Sequence, residues 1–287
     1  MKKILLIAAT LLLAMSCNDW KNSNSEPPKA KIVDELVFAD GHSIKFTYGG
    51  PNNLISLISY STGRTIELSY EGVNTQTPTI YVNDGTTEQK WNVVNSVVRS
   101  IEENGAEVIN MEYGIQFFYW YLTGLKNSPD LSRTTINWTS GAIPTEKITT
   151  WYANSSFSMD EQVARQLVRF GWNSSTAPTN WLASVDLLPF IVPEYTEGWG
   201  IDPAVAASAG VYCFRSYNLP SYVTVAMSYF NAVPDDDNEG GADLPNPTSD
   251  TRYFGYEVSA EGHMQAVYTI NPQNNERTKL FEIKYAE

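Results

Sequence analysis

Four glycines recur at nearly constant spacing along the first part of the chain: Gly41, Gly63, Gly85 and Gly105, separated by 22, 22 and 20 residues. Each follows a polar or turn-forming residue: Asp40, Thr62, Asp84 and Asn104. Six to eight residues after each glycine stands an aromatic: Tyr48, Tyr70, Trp91 and Tyr113. A tight reversal needs positive φ, which glycine adopts without a steric penalty, so these pairs signal hairpin turns of the primed type. Between the turns the residues alternate. Ile44, Phe46 and Tyr48 share one face against Lys45 and Thr47, and Ile66, Leu68 and Tyr70 oppose Thr65, Glu67 and Ser69. A 22-residue unit therefore holds two strands and two turns, with 49–53 and 71–74 as return turns. Such units stack into an antiparallel meander with one buried face.

Strand character continues beyond residue 114. Gln116 to Leu122 carries Phe117-Phe118-Tyr119-Trp120-Tyr121. That run reads as a strand buried on both faces, with a ligand platform as the sharper alternative. Thr134–Trp138 and Ile148–Tyr152 read as strands. Ser158 and Glu161 have capping-box spacing, which opens a short helix unless Gln166–Trp172 returns to strand. Asp202–Gly210 is the clearest helix: Asp202 caps it, Pro203 takes the first helical position and Gly210 ends it. It is too short to stand alone and must pack on the sheet. Val223, Val225 and Met227, then Phe281, Ile283 and Tyr285, alternate again. The expected fold is all-β: a large curved antiparallel meander or half-barrel of 22-residue hairpin units, with one or two short helices on it. No linker divides 33–287, so this is one domain.

The N-terminus supplies an address. Lys2 and Lys3 precede an apolar run from Ile4 to Met15, the length of a signal sequence and too short to span a bilayer. Ala14-Met15-Ser16-Cys17 then resembles a bacterial lipobox, in which the cysteine is acylated and becomes the first mature residue. Residues 1–16 are read as the signal peptide, and 17–32 as the lipidated Cys17 with a flexible Asn-, Ser- and Pro-containing tether. The expected location is the outer membrane, with its face left open. The formal charge is −13 and becomes more negative once Lys2 and Lys3 are removed, which disfavours nucleic-acid partners. No basic amphipathic stretch exists, so membrane contact must come from the acyl chains. With Cys17 acylated, Cys213 has no intrachain partner and reads as a buried thiol in the apolar setting Val211-Tyr212-Cys213-Phe214.

Units such as Asp40-Gly41-His42-Ser43-Ile44-Lys45-Phe46-Thr47-Tyr48 resemble the YD-type hairpin repeats of bacterial surface proteins. With Ile136–Gly141, Arg215–Pro220 and Phe281–Tyr285, the chain from 33 to 287 resembles uncharacterised Bacteroidetes-type lipoproteins with a YD-like repeat domain. The resemblance implies a curved antiparallel sheet akin to the half-barrel of periplasmic lipoprotein carriers. It implies no activity and no functional residues.

Motifs for chemistry are sparse. His42 and His263 each follow a turn glycine and read as surface or strand-end residues. No Gly-x-Ser-x-Gly elbow, phosphate-binding loop or dinucleotide fingerprint is present. In the acidic run 235–243, Asp235, Asp237, Glu239 and Asp243 have calcium-loop spacing, but the twelfth ligand position is Asn246. The run therefore reads as a solvated connection between strands, and no cofactor is expected. Trp172, Trp181, Tyr195 and Trp199 lie in a Pro-, Gly- and Ser-rich region, where rings either stack on a glycan or plug the open end of a curved sheet. The leading expectation is a lipid-anchored binding or scaffolding protein without catalytic function, its partner a glycan or an envelope protein. The alternatives are a carbohydrate-active enzyme using a carboxylate pair, and a carrier holding an acyl chain. A solvent-open aromatic strip would favour glycan binding, an apolar cavity the carrier, and a cleft with facing carboxylates the enzyme.

Overall fold

The computed structural model describes residues 32–286 apart from 52–53, 74–76, 95–96, 117–118, 140–143, 172–218 and 231–244. The strands run β1 (Val33–Phe38), β2 (Ser43–Tyr48), β3 (Ile55–Tyr60), β4 (Thr65–Glu71), β5 (Thr79–Asn83), β6 (Glu88–Val94), β7 (Val97–Glu103) and β8 (Ala106–Gln116). They continue with β9 (Tyr119–Asn127), β10 (Ser132–Trp138), β11 (Pro144–Tyr152), β12 (Gln162–Gly171), β13 (Tyr222–Tyr229), β14 (Thr248–Val258), β15 (Met264–Ile270) and β16 (Arg277–Tyr285). Each pairs antiparallel with the next, and β1 pairs with β16, so the sheet closes into a barrel. The expected meander is present, but the expected half-barrel is not. Closure joins Leu36 to Ile283 and Phe38 to Phe281, a pairing nearly the whole chain apart that no local pattern announces.

The repeat glycines all have positive φ: Gly41 +90°, Gly63 +94°, Gly85 +86° and Gly105 +78°. The turn type differs from expectation. Asn104-Gly105 is a two-residue primed turn, with φ of 52° and 78°. Gly41 instead closes a three-residue loop: its N–H donates to Phe38 O at 3.0 Å, and Phe38 N–H donates to His42 O at 2.8 Å. Gly63 and Gly262 repeat that pattern. A three-residue loop of this kind needs one left-handed residue, at its last position.

A second device recurs at the opposite end. Strands β1, β3, β7, β9, β11 and β15 each carry a bulge near their start, where Asp34, Ser56, Arg99, Thr123, Thr145 and Gln265 are the extra residues. The bulge shifts the side-chain alternation by one position. Inward residues are then three apart: Val33 and Leu36, Ile55 and Ile58, Val98 and Ile101, Leu122 and Leu125, Met264 and Val267, all buried. In β11 the equivalent pair is Pro144 and Lys147, so a lysine that is 4% exposed takes a position that is apolar in the other five strands.

One face of the closed sheet is buried. Trp91, Ile58, Ile66, Ile101, Val33, Val168, Val223 and Val267 are all 0% exposed and belong to one apolar cluster drawn from strands all round the barrel. Among the described residues no further layer packs on the outside of the closed sheet, so these side chains point inward. Sixteen strands in a round barrel leave a water-filled channel. Side chains buried this fully leave no open channel over them, so the barrel is flattened or filled there.

One further expectation is corrected, and the alternative left open at Ser158 is settled in favour of strand. The aromatic run is not one strand, because β8 ends at Gln116 and β9 begins at Tyr119; Phe117 and Phe118 lie outside the described residues. Ser158 starts only a 3-10 turn, Met159–Glu161, with no side-chain capping bond, and strand resumes at Gln162. The helix expected at Asp202–Gly210 lies outside the described residues, as does Cys213. Among the described residues no α-helix is present, and none is long and apolar enough to cross a membrane.

Candidate functional site

The residues singled out by sequence for function all lie outside the described residues. These are Cys17, the aromatics Trp172, Trp181, Tyr195 and Trp199, and the acidic Asp235, Asp237, Glu239 and Asp243. Among the described residues no group of three His, Cys, Asp or Glu side chains could hold a metal ion. The structure directs attention elsewhere, to the outer face of β13–β16.

A row of cross-strand partners crosses that face: Gly171, Tyr222, Tyr253, Ile270 and Arg277, on β12 to β16 in turn. Alternation with buried Val223 and Phe254 turns the two tyrosines outward, and they are 41% and 39% exposed. Their ring centroids are 5.7 Å apart, with 41° between the planes. Gly171 makes this possible: a Cβ there would lie 2.0 Å from Tyr222 Cζ, so the ring rests directly on the glycine backbone. Ile270 lies over Gly255 in the same way, at 2.9 Å from a Cβ built there. One row along, Thr224 and Thr251 join hydroxyl to hydroxyl at 2.8 Å.

Farther along the same face the chemistry becomes charged. Ala266, 3% exposed, forms a floor between its cross-strand partners Glu257 and Glu282. An open polar groove of about 370 Å³ surrounds it, lined among others by Ser259, His263, Lys279 and Lys284. Tyr268 O–H donates to Glu257 Oε2 at 2.7 Å, and that bond holds the phenol above its ordinary range. Lys279 donates to Glu282, which holds that carboxyl below its ordinary range. Lys284 Nζ reaches Glu35 Oε2 at 2.8 Å across the β1–β16 seam. His263 is more enclosed than a surface turn residue. Its side chain is 12% exposed, and its ring centre lies 5.6 Å from that of Tyr285. His42 is exposed as expected, with Nδ1 at 2.8 Å from Asp40 Oδ2.

Sequence alternation could have turned Tyr222 outward, but nothing local says that Tyr253 stands beside it. That neighbourhood follows from the β13–β14 register.

No protein-family model matches the chain, and no curated protein matches it. Among solved structures, a porin-like protein from Bacteroides vulgatus ATCC 8482 is similar at 10% identity, covering 89% of this chain and 99% of that one, with a TM-score of 0.49. A porin-like protein from Bacteroides uniformis ATCC 8492 is similar at 12% identity, covering 91% and 100%, with a TM-score of 0.49. Likeness this distant leaves function to be decided by the chain's own surfaces.

Proposed function

We propose that this chain is a lipid-anchored β-barrel of the bacterial outer membrane whose barrel stands in water and binds a ligand. The observation that carries the reading is the polarity of the two faces. A membrane-spanning barrel has an apolar outer band and a polar interior. Here the interior is mostly apolar, with a polar patch of Ser132, Thr134, Lys147 and Thr149 on β10 and β11, while Lys45, Lys90, Arg133 and Arg169 lie within strands on the outer face. Each such cation near a bilayer midplane costs about 2–4 kcal/mol. Four together match the whole net stability of an ordinary domain, about 5–15 kcal/mol. The lipobox-like sequence ending at Cys17 supports the anchor.

The enzyme alternative is less well supported. Glu257 and Glu282 flank Ala266, but a glycosidase acid needs a raised pKa, and Lys279 pulls Glu282 the other way. An acyl-chain carrier needs an empty apolar cavity, whereas Trp91, Phe46 and Phe281 belong to a packed cluster at 0–1% exposure.

The test separates anchor from barrel. The chain from residue 18 onward should purify as a single species without detergent and carry no current across planar bilayers. Dependence on detergent, or channel activity, would overturn the reading. In cells, wild type should incorporate labelled palmitate and Cys17→Ala should not.

A further inference from the structure

We infer that Tyr222 and Tyr253 form a stacking platform for a sugar ring of a neutral glycan chain. The inference rests on the reading that the outer face of the barrel is in water.

The pair stands apart from its surroundings. Most outer positions along the neighbouring strands are polar, charged or small, such as Thr224, Thr251, Gly255, Glu257 and Glu282; Ile270 lies down over Gly255, and Tyr268 commits its hydroxyl to Glu257. Among the described residues the other exposed large apolar ones, Ile32, Val94, Met159 and Val258, lie on separate elements or distant strand positions. Tyr222 and Tyr253 instead touch and make one continuous surface. Gly171 lets the Tyr222 ring lie back on the sheet, so one ring face is covered by backbone and the other stays open. A cross-strand aromatic pair helps hold two strands together. That role does not require two-fifths of each ring residue to stay in water.

Size selects the partner. A tyrosine can bury about 150–250 Å², so two at two-fifths exposure offer about 200 Å² at most. A stable protein interface needs about 800 Å² per partner. The platform is too small to seat a protein by itself but suits the flat C–H face of a sugar ring, whose polarised hydrogens meet the electron-rich ring face. Hydrogen-bonding groups stand at the edge, where sugar hydroxyls would project: the Thr224–Thr251 pair on one side and Arg277 at the end of the row. Tyrosines give this contact at low rotamer-entropy cost. The net charge of −13 repels uronate-rich or sulfated chains, which leaves neutral glycans.

The test is native electrophoresis of the chain from residue 18 onward through gels cast with neutral polysaccharides: mixed-linkage β-glucan, xylan, galactomannan and α-glucan. Gels with polygalacturonate or chondroitin sulfate form the charged arm. At least one neutral gel should retard the chain. Tyr222→Ala with Tyr253→Ala should weaken that retardation at least tenfold, Tyr253→Phe should keep most of it, and Tyr81→Ala on β5 should leave it unchanged. If the double variant does not fold, hydroxyl-radical footprinting of wild type replaces it, and bound polysaccharide should protect both tyrosines. Absence of retardation in every neutral gel, retardation that survives the double replacement, or unprotected tyrosines in the bound state would each overturn the platform. A chain that needs detergent defeats the water-facing reading instead; one that stays in solution and ignores neutral glycans defeats only the platform.

Discussion

Gly41 and Leu131 occupy the same kind of turn position with opposite consequences. Gly41 has φ +90°, and a Cβ added there would meet nothing within 4 Å. Gly41→Ala therefore isolates the cost of a left-handed backbone, about 1–2 kcal/mol. It should lower the denaturant midpoint without changing the slope. Leu131 has φ +48° and donates its N–H to Ser128 O at 3.3 Å, so it bears that strain already. Leu131→Gly should stabilise, by less than Gly41→Ala costs, because glycine also widens the unfolded ensemble. Asp84 ties two turns together. Its carboxylate accepts from Thr86 Oγ1 at 2.7 Å, from the N–H groups of Thr86 and Thr87 at 3.0 and 2.9 Å, and from Arg64 Nη2 at 3.1 Å. Burial pushes its pKa up, but these bonds outweigh that and bring it down to about 2. The unfolded value is about 3.9, so the carboxylate stabilises the fold above pH 4, and that contribution is lost as pH falls toward 2. Asp84→Asn should cost about 1 kcal/mol at pH 7. Melting curves of variant and wild type should converge between pH 4 and pH 2.

At the scale of the element, bulge and aromatic work as a pair. A bulge interrupts the ladder and leaves a carbonyl short of its strand partner. In β1, β3, β9 and β15 the residue just before the extra one accepts from a ring on the second strand of the same hairpin. Tyr48 O–H reaches Val33 O at 2.7 Å, Tyr70 reaches Ile55 O at 2.6 Å, Trp138 Nε1–H reaches Leu122 O at 2.7 Å and Tyr285 reaches Met264 O at 2.6 Å. This explains why an aromatic follows Gly41 and Gly63 at fixed distance: the glycine turns the hairpin at one end and the ring clasps the other. Tyr48→Phe or Tyr285→Phe should each cost about 1–2 kcal/mol by stranding a buried carbonyl. Tyr81→Phe, whose exposed hydroxyl reaches Glu71, should cost close to nothing. Burial pushes Tyr48 and Tyr285 up to about 12, with the Asp34 charge adding to the rise at Tyr48. Their folded values exceed the unfolded value of about 10, so their contribution is intact below pH 10 and lost between about pH 10 and 12. The double Phe variant should lose less stability over that interval than wild type. Strand and turn were legible in this part of the chain because alternation and glycine spacing are local signals. The bulges were not. They convert period two into spacing three, as at Ile55 and Ile58, which by itself resembles neither strand nor helix.

At the scale of the whole molecule, closure covers both edges of the sheet. β1 and β16 pair through Glu35–Lys284, Leu36–Ile283 and Phe38–Phe281, which leaves no unpaired edge strand in that seam. A chain ending at Asn271 lacks β16, so β1 and β15 become free edges and the partners of Phe281 and Ile283 are uncovered. It should form large oligomers by light scattering; a monomer with the native circular dichroism spectrum would show that closure is dispensable.

Sequence by itself determined the strand class, the hairpin repeat, the inward set Ile44, Phe46, Ile66 and Leu68, and the turn glycines, because each follows from backbone geometry within a few residues. Tertiary structure alone decided three things. The sheet closes, since β1 meets β16 only when the meander has curved through a full circuit. Lys147 is buried, since a bulge in β11 turns it into a position held elsewhere by Leu36, Ile58 and Leu125. Tyr222 stands beside Tyr253 on an open outer face, since the partner of a residue is set by strand register, and register is a property of the assembled sheet rather than of either strand.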